Sequence, residues 1–410
     1  TYYDVAEYPQ ALIEFDLVLT DFQGSSASDD AQYYIGRTKH EQALLAQIAG
    51  SPAATLFNEA RTAYNLVISN YTTSIRRDDA QYQIGRTFYD VVTPTALNYS
   101  TALGHFQTVI NTYGITASVA DDAQYYIGRT MHEQALLPTP ESTLLAARNE
   151  YVKVNATTYP GSIRLDDAEY QVGRTYYDVA IPIAADYSNA LGHFQTVISN
   201  YGTTASAAGD AQYYIGRTIH QGALLAVLPL PNATYTLAKA RTEYLKVNVA
   251  TYPGSVRLDD AEYQVGRTFY DVAIPTAIDY STALGHFQAV ISNYTTAASA
   301  ADDAQFYIGR TIHQGALLLV KPLPPATYTL ANARLEYGNV ATTYLGSIRL
   351  DDAAFYSALT FHDANDCPAE KAAMTAFVGT YSDTVSPIFH FDAQGHLDRI
   401  NGIGGGHSTC

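Results

Sequence analysis

The strongest constraint on this chain is a ten-residue phrase that it repeats. DDAQYYIGRT starts at Asp29 and again at Asp121. Near-copies start at Asp78, Asp166, Gly209, Asp259 and Asp302, and an eroded copy, DDAAFYSALT, starts at Asp351. The intervals run 49, 43, 45, 43, 50, 43 and 49 residues, so the true unit is a long–short pair of about 92 residues. We call the long member A and the short member B. The chain reads as a partial B over 1–28, four A–B pairs, and a tail from about residue 387. Periods of about 20–50 residues mark solenoids or propellers. No run alternates β-branched with polar residues, so a propeller of strands is excluded.

Each member reads as two helices. Asp-Asp supplies an N-cap and a first-turn acid at the positive end of a helix. In the phrase at Asp259, Ala261, Val265, Phe269 and Val272 recur at helical spacing. The second helix of that unit, 280–294, carries Ala283, Phe287 and Val290 on one stripe. In the A unit before it, 240–247 repeats the pattern with Ala240, Tyr244 and Val247.

Val265-Gly266, Phe269, Ala283, Phe287 and Val290 fall in the order of the tetratricopeptide repeat, which the chain resembles over about residues 1–386. Its nearest flavour is the bacterial envelope type found in Tol-Pal accessory proteins and outer-membrane assembly lipoproteins. The resemblance implies an all-α fold, a right-handed α-solenoid of about nine helical hairpins. In it the glycine lets the second helix approach the first. The chain departs from the family in longer turns within each pair, as in 272–281, 226–236 and 319–329. Insertions in solenoids fall in loops on one edge.

In that family, helix positions three to four apart face a concave groove. Here they are Asp30, Tyr33, Arg37 and His40, then Asp79, Tyr82, Arg86 and Tyr89, and so on along the chain. Two readings follow for Tyr33/Arg37, Tyr82/Arg86, Tyr125/Arg129, Tyr170/Arg174, Tyr213/Arg217, Tyr263/Arg267 and Phe306/Arg310. The arginines clamp the carboxylates of a bound peptide, or they form a ladder that pairs with Asp and stacks on Tyr of adjoining repeats. A groove that selects one peptide needs varied residues along its length, and this lining barely varies. The ladder is therefore the expectation, with stability adding up along the array.

Periodic histidines (His40, His132, His220 and His313 in A units; His105, His193 and His286 in B units) lack a second ligand three to five residues away and read as hydrogen-bonded members of the repeat. His362-Asp363 with Asp366 resembles a metal-binding snippet but stands where other B units carry TFYDVA. Gly402–Gly406 looks like a phosphate loop without the Lys-Ser/Thr and helix that such a loop needs. No nucleophile–base–acid set stands out. No enzyme activity, metal or cofactor is expected.

Composition narrows the partners. Acidic residues number 40 against 23 Lys and Arg, for a net charge of −17. No basic stripe exists to displace counterions from phosphates, so nucleic acid is excluded, and an anionic membrane surface would repel the chain. No apolar run approaches the roughly 18 residues of a membrane span. Tyrosine is abundant, at 35, with no tryptophan, on a weakly charged chain. That profile suits an extracellular or cell-surface protein, or a periplasmic one. Asn-X-Ser/Thr occurs at Asn70, Asn98, Asn155, Asn232 and Asn293, with Asn98 and Asn232 expected in the inserted loops as glycan acceptors. Cys367 and Cys410 are expected to pair if the chain is exported.

The ends complete the expectation. Thr1 falls inside a repeat, where Thr175 stands in a full copy, so an export signal is expected to have been removed. The first unit then lacks its N-cap and leaves Tyr2, Val5 and Leu12 without a neighbour. The tail changes character: FHF and HLDRI around 392–395 read as a short β-hairpin. Phe389 and Phe391 are expected to insert into residues 1–28 of the next copy. Two functions are carried forward. One is an exported structural subunit that polymerises head to tail into a filament through non-closing contacts. The other is a periplasmic or cell-envelope scaffold that binds other proteins or peptides in its groove.

Overall fold

The computed structural model describes residues 2–225, 234–294, 299–382 and 386–400. These residues are all-α, with no strand among them. The chain divides into two compact units at about residue 204. Unit 1 contains α1 (Tyr8–Asp21), α2 (Ser28–Ile48), α3 (Ala54–Asn70), α4 (Arg77–Tyr89), α5 (Ala96–Thr108), α6 (Ala120–Ala135), α7 (Leu144–Tyr151), α8 (Leu165–Tyr177) and α9 (Ala184–Thr196). Unit 2 contains α10 (Ala208–Leu224), α11 (Leu237–Leu245), α12 (Leu258–Tyr270), α13 (Ala277–Tyr294), α14 (Ala301–Leu317), α15 (Leu330–Thr343), α16 (Leu350–Asp363), α17 (Cys367–Thr380) and α18 (Pro387–Ile400). Within each unit every helix packs on its neighbours in sequence, and each phrase helix pairs with the helix that follows it.

The pairing has a steric cause. The phrase glycine lies against an aromatic ring of the second helix. A Cβ on Gly36 would sit 2.6 Å from Tyr64, on Gly128 2.6 Å from Tyr151, and on Gly266 2.7 Å from Phe287. Ala283, Phe287 and Val290 are fully buried around that contact. Each hairpin that carries the phrase glycine thus closes around a ring held where only hydrogen leaves room. The second helices of A units start at Thr143, Thr236 and Thr329, whose hydroxyls accept from the backbone N–H of Ala146, Lys239 and Asn332. Gly161 and Gly254, both at φ +82°, turn the chain into the next phrase helix.

Two expectations need correction. Asp-Asp does not cap the phrase helix. The helices begin one or two residues earlier, after Ala27, Arg76, Val119, Arg164, Arg257, Ala300 or Arg349, and both acids lie in the first turn. Asp29 and Asp302 accept from the backbone N–H of the next residue, while the second acids of A units and Asp78, Asp166 and Asp259 of B units turn toward an adjoining repeat. The tail is not a hairpin either. Residues 387–400 form α18, because Phe389, Ala393 and Leu397 recur every four residues and bury against Phe355, Met374 and Phe377. The glycine run after residue 400 lies outside the described residues.

Candidate interaction surface

Both acids of the phrase tie one repeat to the next. The second, Asp30, Asp122, Asp210 or Asp303, accepts from the Nε of Arg76, Arg164, Arg257 or Arg349, at 2.5–2.6 Å. Each of those arginines also reaches the second acid of its own phrase at 2.8–3.3 Å. The first acid of B units is buried. Asp78 accepts from Ser118 N–H and Oγ–H, Asp166 from Ser206 Oγ–H and Ala207 N–H, and Asp259 from Ser299 Oγ–H and Ala300 N–H. The arginine just before the phrase was missed by sequence reasoning. Its signal is positional: B units carry Arg immediately before the helix, and A units do not.

The phrase tyrosine is buried rather than groove-lining. Tyr33, Tyr82, Tyr125, Tyr170, Tyr213, Tyr263 and Phe306 are all nearly inaccessible. Arg86, Arg129, Arg174, Arg217 and Arg267 donate to the tyrosine hydroxyl of their own phrase at 3.2–3.4 Å. Burial pushes Tyr213 up to about 12 despite Arg217, so its hydroxyl stays neutral at neutral pH. In B units Arg86, Arg174 and Arg267 also pair with Asp90, Asp178 and Asp271 one turn on, each at 2.9 Å. Arg37 and Arg129 reach Glu41 and Glu133 instead. Arg86 lies 4.4 Å above Tyr126 and Arg267 4.2 Å above Tyr307. Phe306 has no hydroxyl, and Arg310 donates to Tyr270 at 3.2 Å and lies 3.7 Å above Tyr356.

The A-unit histidines join the same network. His40, His132 and His220 are buried, with Nε2 3.2–3.3 Å from Asp90, Asp178 and Asp271 but off the hydrogen-bond direction. His313 makes that bond to Asp363 at 2.8 Å, and its Nδ1 meets the Tyr337 hydroxyl at 3.3 Å. Burial alone would raise the Asp271 carboxyl, but His220 and Arg267 outweigh it and hold it below its usual range. The B-unit histidines bond across their own hairpins, His105 to Gln81, His193 to Glu169 and His286 to Glu262, at 2.7–2.9 Å. A second arginine set was also missed. Arg148 and Arg241, on second helices of A units, lie 3.3 Å above Tyr176 and Phe269 of the following phrase.

The surface alternates with the pair. Three residues before the phrase, A units carry Ser26, Ser118, Ser206 and Ser299, while B units carry Ile75, Ile163, Val256 and Ile348. Those four aliphatic side chains are 76–82% exposed. At the other end of the phrase helix, in the B-unit turns, Val92, Ile181 and Ile274 are 69–86% exposed. Each unit therefore displays apolar residues in fixed register that its own core does not use.

The remaining expected sites fall as follows. Asn98 lies in the first turn of α5, not in a loop. Its Oδ1 accepts from Thr95 in a capping box. Asn155 uses its whole amide on the backbone of 152–158. Asn70 and Asn293 are exposed near the ends of α3 and α13. Asn232 and Cys410 lie outside the described residues, and Cys367 is disulfide-bonded. Tyr2 and Val5 are exposed and Leu12 is half-buried. Tyr2 and Val5 help line an open apolar groove with Tyr3, Ala11 and Phe15. Phe389 is not free to insert elsewhere, because its ring packs 4.9 Å from Phe355 of the same chain. Phe391 and Ile388 are exposed. Among the described residues no helix is long and apolar enough to cross a membrane.

No family model matches the sequence, and no curated protein matches it. Among solved structures, a tetratricopeptide repeat protein from Parabacteroides merdae aligns at 10% identity and a TM-score of 0.46, over 78% of this chain and 99% of its own. The C-terminal part of a TPR repeat-containing protein from Cytophaga hutchinsonii aligns at 14% identity and a TM-score of 0.46, over 79% and 99%. The P58(IPK) TPR domain aligns at 12% identity and 0.23, over 89% and 98%. The helix pairs and their glycine–ring contacts define the fold by themselves.

Proposed function

We propose that the chain is a non-enzymatic structural protein, exported and able to carry glycans, whose copies associate with one another into an extracellular filament. The observation that carries this reading is the exposure of one B-unit position within each compact unit, Ile75 and Ile163 in unit 1 and Val256 and Ile348 in unit 2. Burying one exposed isoleucine in an interface contributes roughly 1.5–3 kcal/mol. Two of them one A–B pair apart within a unit fit a partner with the same spacing, which a second copy supplies. The commitment of the phrase arginines to Asp, Glu, Tyr and ring partners of the same chain supports a non-clamping role. Head-to-tail contact would add Tyr2 and Val5 of one copy to Ile388 and Phe391 of the next.

Sedimentation of the full chain over a wide concentration range, followed by electron microscopy, tests the reading. Growing species are expected in the unaltered protein and their loss in the double variant Ile75→Asp, Ile163→Asp, with the circular dichroism of both unchanged. If the unaltered protein stays monomeric at high concentration, self-association fails and the envelope-scaffold reading replaces it.

A further inference from the structure

At the C-terminal end of unit 2, three helices bring two imidazoles and a carboxylate to one point. His362 closes α16, Glu370 lies in the first turn of α17, and His396 lies near the end of α18. Their ligand atoms all lie within 4.8 Å of one another. Glu370 is completely buried, and His362 and His396 are 36% and 18% exposed at the side chain. Neither aspartate of the sequence snippet belongs to this cluster. Asp363 bonds His313, and Asp366 caps α17 through the N–H of Ala369.

The point where the three groups converge is held by a cation. Arg399 Nη2 lies 2.7 Å from Glu370 Oε1, 2.9 Å from His396 Nδ1 and 3.0 Å from His362 Nδ1. A guanidinium only donates, so an Nδ1 that accepts from it does so as an unprotonated lone-pair atom. Two neutral imidazoles and an ionised carboxylate are the protonation states in which these side chains bind metal. His396 Nδ1 also stands 2.7 Å from Glu370 Oε1, so the three side chains and Arg399 crowd one point. A single ion at that point satisfies all three lone pairs at once.

We propose that His362, Glu370 and His396 form a binding site for a divalent transition-metal ion of the zinc class, and that Arg399 is the built-in cation that holds the site closed when the ion is absent. Two imidazoles and one carboxylate suit zinc, cobalt or copper, with water as the fourth ligand. Tetrahedral bonds of about 2.0–2.1 Å set ligand atoms roughly 3.3 Å apart. The present separations are 2.7 Å for His396–Glu370 and 3.3 Å for His362–Glu370. Loading therefore needs shifts of a few tenths of an ångström there and the withdrawal of Arg399, which is 34% exposed and has solvent to move into. The ion would tie α18 to the last hairpin.

Cobalt(II) titration of the full chain, followed by visible absorption, tests the site. The expected result is one equivalent bound with the intense bands of a four-coordinate ion, displaced by zinc. His396→Ala should weaken binding beyond the roughly 10–100-fold that loss of an outer-shell partner causes. Arg399→Ala should tighten it, because the competing cation is gone. A purely structural cluster predicts no tightening. Absence of the bands, their survival in the double variant His362→Ala, His396→Ala, or an unchanged affinity in Arg399→Ala with its circular dichroism intact would each overturn the proposal.

Discussion

The phrase glycine decides whether a hairpin closes. Gly216 faces the ring of Tyr244 so closely that an added Cβ would stand 2.6 Å from two of its carbons. Tyr244 is fully buried, so the ring cannot swing into solvent. Gly216→Ala should therefore destabilise by about 1–3 kcal/mol, the usual cost of overpacking, even though alanine favours helix by itself. Chemical denaturation checks this, and a neutral or stabilising result would show that the two helices part without penalty. At this scale the sequence was informative where one position carries one steric demand, as Gly266 and Phe287 did. It was less so where the demand was shared. Nothing in the phrase alone shows that Asp30 bonds Arg76, because the partner stands 46 residues away and in the alternate member of the pair.

Elements are coupled by polar contacts that sequence periodicity does not display. Helix α14 presents His313 to Asp363 of α16 and Tyr337 of α15, with Arg310 and Arg334 also near. Burial pushes the imidazole below its usual value of 6.5, and Asp363 offsets only part of this. The sign follows from linkage. A histidine whose folded value is depressed contributes stability above its unfolded value and loses it as pH falls through about 6.5 toward the folded value. Thermal stability should drop on acidification through that window, and the drop should be smaller in His313→Asn. Parallel curves for the two proteins would remove His313 from the account. Helix α18 shows the converse problem. FHF reads as strand by composition, but Phe389, Ala393 and Leu397 supply a four-residue period whose meaning depends on an apolar surface at Phe355 and Phe377. That surface is created by folding, so local pattern alone could not choose between strand and helix.

In each unit, among the described residues, helices pack chiefly on their first and second neighbours in sequence. Stability in such an array is approximately a sum of repeat terms and nearest-neighbour terms, so damage stays local. Gly128→Ala, which crowds Tyr151 in the pair α6–α7, should lower amide-exchange protection in α6, α7 and the helices packed on them. Protection in α2 and α3, separated by the α4–α5 hairpin, should change little. A uniform loss across unit 1 would instead show one cooperative block. The local case matters for self-association. If every A–B pair holds its own shape, Ile75 and Ile163 keep their register while a neighbour opens, and a growing assembly retains its remaining contacts. The alternation of hydrogen-bonded serines in A units with exposed isoleucine or valine in B units then has a physical use. The serine position fixes one repeat to the last through Asp78 or Asp166, and the aliphatic position at the same offset leaves a surface for another molecule.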